Sequence, residues 1–181
     1  MGVLDNFNRP NGAPGTNWGG ITSGYGIVSN RLDIGTGGAM LWQSTLFGAN
    51  QEVFVTMATV DSAGFYQDLL LKSQSATTWE SGVIDISYDA AGRRVKVWTF
   101  SNAQGWVQRG TDLAVTFANG DQFGARVKSD GTVEVYLNGV LIGSRNASAW
   151  TYSASGGYIG LLFQDSGSAV LDDFGGGTTA P

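Results

Sequence analysis

Apolar and polar residues alternate with a period of two through much of this chain, and no stretch of useful length follows a helical period. The clearest segment runs from Gln122 to Gly143. Phe123, Ala125 and Val127 alternate with Gly124, Arg126 and Lys128, and Ser129-Asp130-Gly131 turns the chain. Val133, Val135 and Leu137 then alternate with Glu134 and Tyr136, before Asn138-Gly139 turns it again into Val140-Leu141-Ile142. Asp-Gly and Asn-Gly suit tight hairpins because Asn and Gly accept positive φ, so the segment predicts a three-strand meander. The same reasoning predicts strands over Arg31 to Ile34, Ala39 to Thr45, Glu52 to Thr59, Phe65 to Lys72, Val83 to Tyr88, Arg94 to Phe100, Trp106 to Gly110 and Gly157 to Phe163. With a terminal pair added, about a dozen strands imply two stacked sheets.

The terminal pair carries nearly the same residues: Val3-Leu4-Asp5-Asn6-Phe7 at the start and Val170-Leu171-Asp172-Asp173-Phe174 at the end. Strict alternation puts Val3, Asp5 and Phe7 on one face and Val170, Asp172 and Phe174 on another. Each terminal strand then carries a carboxylate on its apolar side, which must be paired, hydrogen-bonded or bound to a metal. The Gly/Asn/Pro-rich segment from Asn8 to Gly26 is expected to be a long ordered loop anchored by Trp18 and Tyr25. Residues 1–174 are expected to form one domain, and Gly175-Gly176-Gly177-Thr178-Thr179-Ala180-Pro181 a flexible tail or linker.

Composition narrows the chemistry. The chain of 181 residues has 28 Gly, only 3 Pro and a charged fraction of 14%, which fits a turn-rich β protein with a neutral polar surface. Net charge is -5, and the one basic cluster, Arg93-Arg94-Val95-Lys96, reads as the solvated face of a strand, so nucleic acid is not an expected partner. With no Cys and no His, thiolate and imidazole metal sites, the Ser/His/Asp triad and the Cys/His dyad are all excluded. No apolar run is long enough to span a membrane, and the opening residues do not read as an export signal, so none is expected within this stretch.

Val133 to Gly143 resembles the Asn-Gly hairpin of laminin-G-like, concanavalin A-like jelly rolls. Tyr158-Ile159-Gly160-Leu161 with Leu171-Asp172-Asp173-Phe174 resembles their closing strands, and Asp5 to Gly12 with a downstream Trp resembles their opening. The resemblance covers nearly the whole chain and implies an all-β, two-sheet antiparallel jelly-roll sandwich. The opening is similar to that of lectin-like domains in minor tail proteins of phages infecting actinobacteria, and of modules appended to secreted glycan-processing enzymes. That likeness implies glycan or surface recognition in a virion or extracellular setting.

Glycosidases of this fold use three acids at alternate positions of one strand. Here Asp85-Ile86-Ser87-Tyr88-Asp89 puts two acids and a Ser on one face, without the longer Glu side chains, so a non-catalytic domain is expected. Sugar binding uses aromatic faces in loops beside polar side chains. Trp79, Trp106, Trp150 and Tyr152 lie in or beside polar segments and are the glycan-binding candidates, whereas Trp18, Trp42 and Trp98 read as packing residues. Asp5 and Asp172 are candidate ligands of a structural calcium ion, with ion pairs to Arg9 or Arg31 as the rival explanation. Two functions follow. One is a non-catalytic virion adhesin that binds a host cell-surface glycan. The other is a structural tail or capsid-decorating subunit, a trimer for instance, that contacts other virion proteins without binding sugar.

Overall fold

A computed structural model describes residues 2–180 as two antiparallel sheets packed face to face. Sheet I runs in the order β14 (Val140–Asn146), β13 (Thr132–Leu137), β12 (Asp121–Val127), β6 (Gln51–Thr59), β16 (Val170–Thr178), β4 (Arg31–Ile34) and β3 (Tyr25–Val28). β1 (Gly2–Asp5) also pairs with β16. Sheet II runs β10 (Gly105–Gln108), β9 (Arg94–Ser101), β8 (Val83–Asp89), β7 (Tyr66–Ser73), β15 (Tyr158–Gln164), β5 (Gly38–Trp42) and β2 (Trp18–Gly20), with β11 (Leu113–Ala114) on β9. Among the described residues the only helical turn is a 3-10 segment, Thr22–Gly24. The architecture is the expected jelly-roll sandwich.

Alternation decides which side chains meet between the sheets. Val53, Val55 and Met57 of β6 and Phe123, Ala125 and Val127 of β12 face Leu69 and Leu71 of β7, Ile84, Ile86 and Tyr88 of β8, and Ile159, Leu161 and Phe163 of β15, all buried in one core. Each such side chain contributes about 1.5–3 kcal/mol on burial, and this pins the register, because a one-residue slip would turn the whole set outward. The meander forms as expected. Asn138 and Gly139 both take positive φ, 51° and 75°, and join Leu137 to Val140.

Three expectations are corrected. Gly175, Gly176 and Gly177 are not a tail: they lie inside β16, paired with Phe54, Val53 and Glu52 of β6 while Gly2 and Val3 of β1 flank them. A Cβ on Gly175 would sit 2.3 Å from the Phe54 ring and 2.4 Å from the Gly2 carbonyl, so glycine is required there by close approach. The terminal strands also break strict alternation. Asp173 adopts φ 45° within a bulge between Asp172 and Gly175, so Leu171 and Phe174, three apart, both enter the core while Asp172 turns out towards Arg31. Finally, Trp18 and Tyr25 do anchor the segment from Asn8 to Gly26, but they sit in strands β2 and β3.

Candidate functional site

The alternation that sends Leu69, Ile84, Ile86, Val95 and Val97 into the core sends Asp68, Asp85, Ser87, Asp89, Lys96 and Trp98 to the outer face of sheet II. There they line a groove of about 670 Å³. Pairing sets their order: Asp68 lies opposite Ser87 on one side and Leu162 on the other, Asp85 opposite Leu70 and Trp98, Ser87 opposite Lys96, and Asp89 opposite Arg94. Asp68 and Asp85 are therefore diagonal neighbours, close enough for their side chains to meet.

One end of the groove is aromatic. Trp79 comes from the segment between β7 and β8, which is folded by hydrogen bonds from Ser73 Oγ to the Ser75 carbonyl (2.8 Å) and from the Gly82 amide to the Trp79 carbonyl (3.0 Å). Its ring lies 5.1 Å from Trp106 and 5.0 Å, edge-on, from Phe100. The Trp79 and Phe100 rings sit on Leu41, Leu70 and Val83, part of a small apolar cluster separate from the main core. Trp106 remains 41% exposed, and Phe65 and Tyr66, which also line the groove, are 55% and 45% exposed. Large aromatic surfaces left open to water on a rigid sheet are unlike the buried rings Trp18 and Phe174, which meet at a tilt within the core.

The carboxyls divide into two kinds. Asp89 accepts hydrogen bonds from the Gly92 amide (2.7 Å) and Arg94 Nε (2.9 Å), with Lys96 Nζ 4.0 Å away. Burial alone would raise its pKa, but these partners hold it below the ordinary carboxylate value. Asp68 is fully buried and Asp85 is 7% exposed, and no well-formed hydrogen bond reaches either oxygen of Asp68 or Oδ1 of Asp85. Burial, followed by the charge of Asp85, pushes Asp68 well up despite the nearby Ser87 hydroxyl and Tyr88 amide. Burial likewise raises Asp85, to about 7. Two like charges side by side in a low-dielectric setting cannot both ionise cheaply, so the pair holds a proton near neutrality.

Of the residues singled out from sequence, the fold brings Trp79 and Trp106 together at this groove. Trp150 is 2% exposed and belongs to the main core, donating from Nε1 to the Phe100 carbonyl (2.8 Å), with half-buried Tyr152 edge-on at 5.4 Å. Buried Lys72, whose ammonium donates to the Ser153 carbonyl, ties that segment down. Asp5 and Asp172 have different partners. The Asp5 oxygens accept from Arg9 Nη1 (2.6 Å) and Nη2 (3.0 Å), Trp18 Nε1 (2.8 Å) and the Phe7 amide (2.9 Å). Burial would raise its pKa, yet these donors bring it below the ordinary value. Asp172 faces Arg31 at 3.8 Å. A carboxylate surrounded by N–H donors does not suit calcium, and among the described residues no three acid side chains gather where a metal could be shared.

Sequence reasoning missed Asp68 and assigned Trp98 to packing. The available signal was the set Tyr66, Asp68, Leu70, Lys72, in which an acid shares a strand face with an apolar residue.

No protein-family model and no curated protein matches this sequence. Solved structures do match its fold. The carbohydrate-binding module CBM66 from Bacillus subtilis superimposes with a TM-score of 0.58 at 16% identity, over 92% of this chain and 94% of its own. A non-specific endo-β-1,3(4)-glucanase of family GH16, crystallised with 1,3-β-D-cellotriosyl-glucose, gives 0.58 at 15% identity over 94% and 90%. A structure described under endo-acting O-glycanases of the human gut microbiota gives 0.62 at 14% over 96% and 97%. At such identities the likeness shows the fold, which serves a sugar-binding module and glycoside hydrolases alike.

Proposed function

We propose that this chain is a non-catalytic recognition domain that binds a glycan along the outer face of sheet II. The observation that carries the reading is the groove itself, where exposed Trp106 and half-buried Trp98 and Trp79 adjoin buried, unpartnered carboxyl oxygens. Aromatic faces pack against the C–H surface of pyranose rings, and acceptor oxygens fix their hydroxyls. The fold shared with a carbohydrate-binding module is consistent with this use.

Binding is favoured over hydrolysis by the chemistry of the acids. Retaining hydrolysis wants two carboxyls about 5 Å apart, one of them protonated to serve as general acid. Asp89 is locked by Arg94 and held ionised, Ser87 occupies the middle position, and Asp85 is engaged with Asp68. A cell-wall and polysaccharide pull-down tests the reading, paired with a reducing-sugar assay. Retention that is lost in Trp106→Ala, with no sugar released, supports it. Sugar release abolished by Asp85→Asn overturns the non-catalytic part.

A virion or extracellular setting, with a host-surface glycan as target, is supported by the resemblance at Asp5 to Gly12. Finding the chain by mass spectrometry in purified particles tests that setting. One feature favours an assembly role instead: β14 ends sheet I and exposes Val140 (69%) and Leu141 (52%). Native mass spectrometry showing a stable trimer that retains no polysaccharide would favour this second reading.

A further inference from the structure

Three buried acceptor atoms, Asp68 Oδ1, Asp68 Oδ2 and Asp85 Oδ1, line the same wall without a well-formed hydrogen bond. Groups this buried are ordinarily satisfied, and an exception calls for a physical account. The neighbouring cations do not supply one, because Arg94 and Lys96 form their ion pairs with Asp89. The groove as a whole is acidic, with Asp68, Asp85, Asp89 and Asp165 lining it against Lys96 alone. A proton held between Asp68 and Asp85 leaves the pair one negative charge and acceptor oxygens to spare.

Resting on the glycan reading above, we infer that the groove selects a sugar carrying a free primary amine, whose ammonium sits against Asp68 and Asp85. An ammonium brings N–H donors and one positive charge to the acceptor oxygens left over from the shared proton and to the pair's remaining negative charge. A neutral hydroxyl brings one donor and leaves the charge. A divalent cation requires more oxygen ligands than this wall supplies, since no third acid joins the two. The aromatic flank suits the rest of such a ligand, because an indole face accepts both pyranose C–H groups and a nearby cation.

The test is calorimetric titration of the full chain at about pH 7, where sugar amines are still largely protonated and the Asp68–Asp85 pair begins to carry its charge. The probes are a glucosamine oligosaccharide, the same oligosaccharide N-acetylated, and a neutral β-glucan oligosaccharide of equal length. The amine form is expected to bind at least about tenfold more tightly than the N-acetylated form, and Asp68→Asn to bring that ratio to about one. Asp85→Asn, read the same way, covers the case in which Asp68→Asn does not fold. Equal affinity for the two forms overturns the inference. So does a preference that survives both substitutions, since it would reflect the overall acidity of the chain. In either case, loss of neutral-oligosaccharide binding in Trp106→Ala would leave the glycan reading standing. If none of the three oligosaccharides binds, the amine inference falls, and the polysaccharide pull-down decides the broader reading separately.

Discussion

Asp68→Asn should stabilise this protein, and by an amount that depends on pH. A buried carboxyl whose pKa rises from 3.8 to about 7, as for Asp85, costs about 4 kcal/mol once it is forced to ionise in the fold. Sharing a proton with Asp68 and local repositioning relieve part of this, so removing one member is expected to return about 2 kcal/mol. The new amide can also donate to Asp85 Oδ1, which no well-formed hydrogen bond reaches in the wild-type protein. The sign follows from proton counting. Between the ordinary carboxylate pKa and the raised folded values, the native state binds more protons than the unfolded chain, so wild-type stability falls as pH rises through that window. The gain from Asp68→Asn is therefore largest above the window and nearly absent below it. Thermal unfolding followed by near-UV circular dichroism should show Tm raised by about 4–8 °C at about pH 8 and by little at about pH 4. A Tm that falls at about pH 8 would mean Asp68 already has a partner, and a shift of equal size at both values would mean its ionisation carries no cost; either would refute the reasoning.

The aromatic residues should separate by role. Trp106→Ala is expected to lower Tm by no more than about 2–4 °C while weakening glycan retention about tenfold, because its ring is 41% exposed and packs only in part on Trp79 and Phe100. Trp150→Ala should instead cost about 3–5 kcal/mol, seen as a Tm drop of roughly 10 °C, because it empties a core site. Gly175→Ala should destabilise by about 1–3 kcal/mol in urea titration, since its Cβ would meet the Phe54 ring and the Gly2 carbonyl within β16. Arg9→Ala leaves Asp5 buried without its main partner and should lower stability by about 2 kcal/mol, whereas chelator should leave Tm unchanged. The stabilisation that Asp5 provides through its depressed pKa is present above the ordinary carboxylate range and lost as pH falls through it, so the difference between Arg9→Ala and wild type should narrow in acid.

Much of this architecture was legible because its signals are local. Period-two alternation depends only on neighbouring residues, and Asn138-Gly139 declares its turn through the positive φ both residues tolerate. The meander and the strands holding Ile84, Ile86 and Tyr88 could therefore be read directly, as could the shared face of Asp85, Ser87 and Asp89. Trp79 and Trp106 were legible as candidates because each stands near polar turn residues. Their contact with one another was not, since it depends on the segment after β7 folding back over sheet II.

The remainder was decided in three dimensions. Gly175-Gly176-Gly177 has the composition of a linker, and only the approach of Phe54 and Gly2 makes it a strand. Alternation fixed that Asp68 shares a side with Leu70 and that Trp98 shares one with Lys96. It could not tell the inner side from the outer, because the outer face of sheet II is itself partly apolar. The sequence by itself determined the strands, the turns and the exclusion of Cys and His chemistry, all matters of residue identity and short-range geometry. Only the tertiary structure decided that two acids on the neighbouring strands β7 and β8 would share a buried wall beside open tryptophans, because burial and charge coupling depend on how the strands pack and not on residue identity.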